Sequence, residues 1–279
     1  MSYKIIGDSC CDWTDGSDEL DFITRVPLSI ELGNKTYTDD ETLDCKELLD
    51  AMDSTPTAPK SACPSPGVYA DAFSGADDIY AVTLSSKLSG SFASAEMGAM
   101  LAKEETPNAH IHVFDSHSAA AGEILICLKL RELTALGLPF AEVVRRTQEF
   151  IGTMSTFFTL ETLEVFRKNG RLNHLQSIAT AALKIKLVMR ETDGNVAMAD
   201  KALTMDGALS RMVKHIQKAA EKLDCTTRTL VITQCACPER AEKLRGMIEK
   251  VCSFRRILIC RSGGISTMYA NRGGVIVSF

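Results

Sequence analysis

Short apolar segments that alternate with helical patterns are the feature that most constrains the fold of this chain. These segments are too continuously apolar to alternate between a buried and an exposed face, as is typical of strands covered by helices on both sides. The pattern predicts an α/β fold with a parallel sheet in the first half. Strands are predicted there at residues 3–6, 26–32, 79–84 and 111–114, and helices at 45–52, 90–103, 121–136 and 140–151.

The second half of the sequence carries a different pattern. Two predicted strands, 185–192 and 195–201, flank the dipeptide Asp193-Gly194, which is a strong signal for a β-hairpin. A chain of 279 residues is longer than a single hydrophobic core usually supports. We therefore predict two α/β domains, 1–153 and 154–279, the second with a mixed sheet. Its other strands are predicted at 154–160, 229–233, 257–260 and 274–279, and its helices at 161–168, 204–223 and 238–251.

The charge balance narrows the classes of function. The formal net charge of −5 argues against a nucleic-acid or anionic-membrane surface as the main role. No stretch approaches the roughly 18 apolar residues of a membrane span, and the N-terminal segment lacks the apolar core of a signal peptide. We expect a cytoplasmic protein with no nucleic-acid partner and no stable membrane insertion.

The ten cysteines include no C-x-x-C pair, so the sequence lacks the paired knuckles of a zinc site. We interpret them as reduced and mostly structural thiols, and we expect no metal and no cofactor. A redox or metal role for Cys235 and Cys237, which are separated by one residue, is the alternative.

Small polar residues follow three of the predicted strands. Asp8-Ser9 comes after the first strand, five serines within 85–94 come after the strand at 79–84, and Asp115-Ser116 comes after the strand at 111–114. The carboxyl ends of parallel strands share one edge of a sheet, where ligands bind. Ser and Asp are also good helix caps, so the clustering by itself fits capping and a ligand site equally well.

The stretch around Gly90 has the composition of an oxyanion site. A helix that starts at Gly90-Ser91 offers free N–H groups and the positive end of the helix dipole. No P-loop, dinucleotide fingerprint or nucleophile elbow is present, and the five histidines form no metal-spaced cluster. The sequence thus indicates a phosphate, sulfate or carboxylate. His117 is the nearest histidine, and we interpret it as a solvated loop residue.

Several short motifs occur in a fixed order along the chain, with the most specific ones in the first 120 residues. They are Asp8-Ser9 with Asp12, the segments 26–30 (VPLSI), 61–67 (SACPSPG) and 84–95 (LSSKLSGSFASA), Asp115-Ser116, and 169–172 (NGRL). In these motifs the chain resembles the DegV family. The better understood members of that family are bacterial fatty-acid-binding proteins that present the acyl carboxylate to a partner kinase.

The resemblance implies two α/β domains with a lipid between them, the N-terminal one with a mostly parallel sheet. It implies a non-catalytic protein in which Ser61, Ser89, Gly90 and Ser91 hold the carboxylate of a long-chain fatty acid such as palmitate, stearate or oleate. The acyl chain would lie in an apolar tunnel of the C-terminal domain. A fatty-acid kinase is the implied partner.

The C-terminal half departs from the family pattern at the expected head-group contacts. The family's H-x-G-P block is RSGG at 261–264 here, so Arg261 replaces the histidine. We expect Arg261 to pair with the carboxylate, as guanidinium groups do, with Ser262 beside it. The family's K-x-R is KAL at 201–203, so an arginine is lost. If the two replaced residues serve presentation to the kinase, this chain differs in that step.

Other candidates have two interpretations each. Arg171 either contacts the head group or a partner, or satisfies carbonyls at a helix end. Asp8 and Ser9 either contact the head group or brace the sheet edge. The same head-group or partner role is assigned to Asp115 and Ser116. Apolar candidates for the tunnel, which also fit ordinary core packing, are Phe157, Phe158, Ile178, Ile185 and Met189.

Two other functions compete with a fatty-acid carrier. The first is an enzyme of phosphoryl or acyl transfer that uses Ser89 or Ser91 with Asp115, although the sequence shows no recognisable base, P-loop or metal cluster. The second is an interaction protein with a vestigial site.

Overall fold

The computed structural model describes residues 2–14, 17–172 and 185–279. The described strands are β1 Tyr3–Asp8, β2 Trp13–Thr14, β3 Ile23–Val26, β4 Ser29–Leu32, β5 Lys35–Thr38, β6 Lys60–Ala62, β7 Asp78–Thr83, β8 His110–Asp115, β9 Thr156–Thr159, β10 Lys186–Thr192, β11 Asn195–Ala202, β12 Thr229–Gln234, β13 Arg256–Arg261 and β14 Val275–Ser278. The described helices are α1 Cys45–Ser54, α2 Pro66–Ala72, α3 Ser91–Glu105, α4 Ala121–Ala135, α5 Phe140–Ile151, α6 Glu164–Lys168, α7 Met205–Ala220, α8 Pro238–Glu249 and α9 Gly264–Ala270. None of these helices is long and apolar enough to cross a bilayer.

The strands form three sheets. The first is fully parallel, in the order β3-β1-β7-β8. The second is mixed and has seven strands, in the order β11-β10-β9-β14-β12-β13-β2. A small antiparallel sheet, β5-β4-β6, completes the set. The α/β class, the parallel sheet of the first half and the mixed sheet of the second half are therefore confirmed.

Helix α4 joins the two large sheets into one core. It packs against β1 and β7 of the parallel sheet and against β12 and β14 of the mixed sheet. Its buried side chains include Ile124 and Leu130, in a cluster with Ile5 of β1 and Val231 of β12. The predicted boundary near residue 153 falls between α5 and β9, and it stays a prediction because the core is continuous across it.

The predicted hairpin is confirmed in detail. Strands β10 and β11 pair from Lys186 with Ala202 to Thr192 with Asn195. Asp193 and Gly194 at its tip both have positive φ, at 50° and 78°. Two residues with positive φ match the right-handed twist of the flanking strands, which is why the Asp-Gly dipeptide favours this turn.

The predicted strand at 26–32 is wrong in one respect. It is two strands, β3 and β4, which belong to different sheets and are separated by Pro27 and Leu28. Proline has no N–H to donate to a ladder, so it interrupts pairing there. The helix predicted at 161–168 is also shorter, since α6 begins at Glu164.

Candidate functional site

A mainly apolar cavity of ≈ 320 Å³ lies at the carboxyl ends of β1, β7, β8 and β13. Both halves of the chain contribute to its walls. Phe158 and Leu160 come from β9 and the residue after it, and Ile265 comes from α9. Phe166 of α6 stacks on Phe158 with ring centroids 5.9 Å apart. The wall is thus a packed apolar surface that suits a hydrocarbon chain.

One end of this cavity is polar. Ser61 in β6, Ser89 and Gly90 in the loop before α3, and Arg171 after α6 all line it. The structure therefore brings together four of the predicted residues, from three separate segments of the chain. Gly90 is the N-cap of α3 and no side chain caps that helix, so the positive end of the helix dipole faces this region.

Neighbouring groups hold the polar end in place. The Ser89 hydroxyl lies 3.2 Å from the Ser91 hydroxyl and accepts a hydrogen bond from the Ser91 N–H, also at 3.2 Å. The Arg171 Nε donates to the Leu88 carbonyl at 3.2 Å, and its Nη1 donates to the Asn169 carbonyl. The contact with Asn169, which caps the end of α6, is the kind predicted for Arg171 at a helix end, while the side chain also reaches Leu88 and lines the cavity.

Ser91 lies behind Ser89. It is fully buried and does not line the cavity. Burial is the largest influence on the Asp8 carboxyl and raises its pKa, while hydrogen bonds from the backbone N–H groups of Leu84 and Cys10 lower it. Ser91 therefore supports Ser89 from inside the protein.

Asp8 and Ser9 brace the sheet edge. The two carboxylate oxygens of Asp8 accept hydrogen bonds from the N–H groups of Leu84 and Cys10, at 2.8 and 3.0 Å. The Ser9 hydroxyl accepts from the Leu28 N–H at 3.0 Å. Neither residue lines the cavity. These contacts match the bracing interpretation, and they shape the loop on which Ser89 stands.

Asp115 and Ser116, at the end of β8, hold the neighbouring backbone as Asp8 and Ser9 do at the end of β1. One oxygen of Asp115 accepts from the N–H groups of Ser86 and His117, at 3.1 and 3.0 Å. The Ser116 hydroxyl donates to the Ser118 carbonyl at 3.0 Å. Asp115 thus ties the serine-rich loop to the end of β8. His117, half-exposed at its side chain (55%), lines the cavity with Ser118.

Arg261 and Ser262 lie away from the cavity lining. Arg261 ends β13, where it is paired with Gln234 of β12 and Trp13 of β2. Ser262 is buried, and its hydroxyl lies 2.6 Å from that of Thr267. Helix α9 instead brings Ser266 and Tyr269 to the cavity. A role for Arg261 and Ser262 in binding stays a prediction.

Of the tunnel candidates, Phe158 lines the cavity. Phe157 faces the other side of β9 and packs with α7 and Phe279, as expected from the alternation of a strand. Ile185 and Met189 pack against the apolar group that contains Phe158, behind the lining. Ile178 lies outside the described residues.

Three buried carboxyl groups beneath the site were not predicted to have a structural role. Asp39 accepts from the N–H groups of Gly264 and Ile265 at the start of α9, at 2.6 and 2.9 Å, and burial raises its pKa to about 6. Asp12 accepts from the Gly263 N–H at 2.8 Å, and burial raises its pKa to about 7. Asp12 and Asp39 thus hold the segment that carries α9 to the cavity.

Glu123 is the third of these buried groups. It is fully buried in the first turn of α4. Burial, and then the neighbouring Asp8 carboxylate, raise its pKa well above the usual range. No periodic pattern in the sequence distinguishes it from an ordinary acidic residue in a first helical turn, where Glu is common.

The hairpin tip also reaches the site, which sequence patterns did not indicate. Glu191, Gly194 and Asn195 line the cavity. The Ser85 hydroxyl donates to the Gly194 carbonyl at 2.7 Å, and Glu191 accepts from the Gly194 N–H at 2.7 Å. The hairpin is thereby fastened to the serine-rich loop, across more than one hundred residues of sequence.

All ten cysteines are unpaired. Burial is the main reason that the pKa of Cys237 rises to about 11, and its thiol lies 3.5 Å from the Gly274 carbonyl. Among the described residues, no group of three or more His, Cys, Asp or Glu side chains is arranged to hold a metal ion. Cys63 is exposed and lines the cavity together with the buried Cys10, and the role of the thiols stays a prediction.

Comparisons with known proteins agree on one family. The model of the DegV family matches residues 2–279. A DegV domain-containing protein of Streptococcus pyogenes serotype M1 is 32% identical over 283 residues, with 100% of this chain and 99% of the relative covered.

Solved structures are similar over the same length. A DegV family protein from Ruminococcus gnavus, refined with vaccenic acid, has a TM-score of 0.95 and 37% identity, and the match covers 100% of this chain and 99% of that one. The Streptococcus pneumoniae Fatty Acid Kinase B3 protein, loaded with linoleic acid, has a TM-score of 0.91 and 31% identity over the same shares.

Proposed function

Because this chain belongs to the DegV family, we propose that its cavity binds a long-chain fatty acid. The observation that carries the proposal is the combination of an apolar cavity with one polar end. Phe158, Leu160 and Ile265 supply the apolar walls, and Ser61 and Ser89 supply hydroxyl donors. Related proteins from Ruminococcus gnavus and Streptococcus pneumoniae carry vaccenic and linoleic acid, which supports palmitate, stearate or oleate as ligand classes here.

The carboxylate is held by Ser61, Ser89 and Gly90, with Ser91 positioning Ser89 and Arg171 supplying charge. A carboxylate that leaves water needs donors, because an unpaired buried charge is costly. The acyl chain supplies most of the affinity, at roughly 0.8 kcal/mol for each buried CH₂ group. The polar end therefore fixes the orientation of the ligand, and the apolar walls supply the free energy of binding.

The bound head group is accessible to a partner. A polar surface depression lined by Ser86, Lys87 and Gly170 shares Ser89, Gly90 and Arg171 with the cavity. The carboxyl end of the ligand would thus lie close to the surface, where an acyl kinase can reach it. We assign Asp115 and Ser116 to shaping this surface rather than to touching the ligand.

We also propose that the protein itself is not a catalyst. The transfer-enzyme alternative needs a base that activates Ser89 or Ser91. Asp115 is engaged with two backbone N–H groups, and Ser91 is enclosed behind Ser89. These contacts favour a carrier. The ten unpaired cysteines are consistent with a reducing compartment such as the cytoplasm.

Lipid identification after native mass spectrometry tests this function. The purified protein should carry about one fatty acid per chain. Ser61→Ala and Ser89→Ala should each weaken oleate binding by about tenfold or more, as expected for a lost hydrogen bond to a charged group. Ser86→Ala is the matched control, since Ser86 lies in the same loop and does not line the cavity.

A protein that purifies empty and takes up neither palmitate nor oleate would refute the fatty-acid proposal. Equal losses in Ser86→Ala and Ser89→Ala would refute the placement of the carboxylate. Arg261→Ala addresses the remaining prediction. A loss of oleate affinity in that variant would bring Arg261 into the site, and an unchanged affinity would leave it outside.

A further inference from the structure

A second concave surface lies at the opposite ends of the strands of the mixed sheet from the fatty-acid cavity. It is a cleft of ≈ 540 Å³ at the amino ends of β12 and β13. Five basic side chains line it, and we call it the basic cleft: Lys129, Arg131, Arg228, Arg255 and Arg256. It shares no lining residue with the cavity. Strands of six residues span roughly 20 Å, so the two sites are separate.

The basic cleft is lined by more positively charged than negatively charged side chains. Among the residues that the structure describes, two carboxylates, Glu19 and Glu132, line it, in a protein whose formal net charge is −5. Glu19 pairs with Arg256. Glu132 is shared between Lys129 at 3.0 Å and Arg255 at 3.8 Å. The local excess of positive charge attracts anions, because a concave surface concentrates the field of its charges.

Arg131 and Arg228 form no ion pair with a carboxylate among the residues that the structure describes. Arg131 donates to the Glu19 backbone carbonyl at 3.1 Å and lies over the ring of Phe22. Arg228 donates through Nη2 to the Thr153 hydroxyl at 2.7 Å, and its guanidinium lies 5.3 Å from the ring centroid of Phe150. Both guanidinium groups are thus oriented without having their charge neutralised.

The Nη1 atom of Arg228 is a hydrogen-bond donor that the described part of the chain leaves unsatisfied. It is buried and has no hydrogen-bond partner among the described residues. A buried donor without a partner costs free energy, so a shift of the guanidinium that brings this donor to a ligand oxygen in the cleft would be favourable. The floor of the cleft is apolar, with Leu125, Leu128 and Phe150. Guanidinium groups bind phosphate in a forked geometry.

We propose that the basic cleft binds a small phosphate-bearing molecule, with Arg228 and Arg131 as the principal contacts. The concave shape and the buried donor favour a small ligand over a flat macromolecular surface. The apolar floor beside the cations accommodates the non-phosphate part of a ligand such as a nucleotide. This site is independent of the fatty-acid site and does not rest on it.

Calorimetric titration of the full chain, as purified, with pyrophosphate and with ADP tests the proposal at low salt. One molecule should bind per chain. Arg228→Gln and Arg131→Gln should each weaken binding at least about tenfold, the effect of one lost charge-assisted contact. Arg245→Gln is the control, because it removes the same charge from the exposed face of α8, where Arg245 pairs with Glu242. Lipid content should stay unchanged in all variants.

Three results would overturn the proposal. The first is no binding of pyrophosphate or ADP at millimolar concentration. The second is an equal loss in Arg245→Gln, which would indicate a non-specific charge effect. The third is binding of an acidic peptide or of anionic vesicles without binding of either small probe. Arg131 is exposed, so Arg131→Gln remains informative if Arg228→Gln fails to fold.

Discussion

Replacing Asp12 by Asn should make the protein more stable at pH 8 while changing little at acidic pH. Asp12 is fully buried, and its Oδ1 accepts a hydrogen bond from the Gly263 N–H at 2.8 Å. Its Oδ2 has no hydrogen-bond partner among the described residues. Burial raises the pKa of this carboxyl from an ordinary value of 3.8 to about 7. An asparagine keeps the acceptor for Gly263 and cannot ionise.

The direction of this pH dependence follows from how the folded and unfolded chains bind the Asp12 proton. Between pH 3.8 and about 7 the folded chain keeps the Asp12 proton while the unfolded chain releases it. Stability of the wild type therefore falls as the pH rises through this window. Each pH unit in this window lowers the free energy of unfolding by about 1.4 kcal/mol. The wild type therefore loses about 4 kcal/mol across the whole window and about 3 kcal/mol between pH 5 and pH 8. Repulsion from the Asp39 carboxylate also raises the pKa of Asp12. Asparagine removes this repulsion, which likewise favours the variant over the wild type at high pH.

Urea unfolding at pH 5, 6, 7 and 8, followed by far-ultraviolet circular dichroism, measures this effect. The free energy of unfolding of Asp12→Asn minus that of the wild type should increase by about 3 kcal/mol from pH 5 to pH 8. Asp40→Asn is the control, because the Asp40 carboxylate is half-exposed and accepts from the Thr42 N–H. A difference that stays constant across this pH range would refute the reasoning.

Three further substitutions test the site and its supports, and a fourth, Gly246→Ala, is a control. Ala119→Leu narrows the cavity that Ala119 lines, and we expect it to weaken stearate binding about 50-fold relative to myristate, at roughly 0.8 kcal/mol for each of about three excluded CH₂ groups; equal losses for both acids in a displacement assay would contradict this. Gly194→Ala places a Cβ 2.7 Å from the Ser85 hydroxyl at a φ of +78°, so the unfolding free energy should fall by about 2 kcal/mol, and an unchanged thermal midpoint would argue against the fastened hairpin. Gly264→Ala places a Cβ 2.6 Å from a carboxylate oxygen that holds α9 and should lower stability by about 2–3 kcal/mol, whereas Gly246→Ala, with open space around it in α8, should raise stability by about 0.5–1 kcal/mol.

Local patterns in the sequence determined much of the fold. Continuous apolar runs predicted the buried strands β7 and β8, and Asp193-Gly194 predicted the hairpin together with its left-handed turn. The glycine and serines before α3 predicted an oxyanion site, and that segment does line the polar end of the cavity. These features could be predicted because periodicity and turn chemistry depend only on residues that are close in sequence.

Only the tertiary structure decided which distant segments meet. Trp13–Thr14 joins the sheet of the second half, and Gly194 reaches Ser85. Asp39 holds the start of α9 from more than two hundred residues away. Such contacts follow from the packing of whole sheets and helices, and no local spacing encodes them. For the same reason the sequence indicated the serine-rich end of the cavity and one apolar wall residue, Phe158, while the other apolar walls and the basic cleft emerged from the fold.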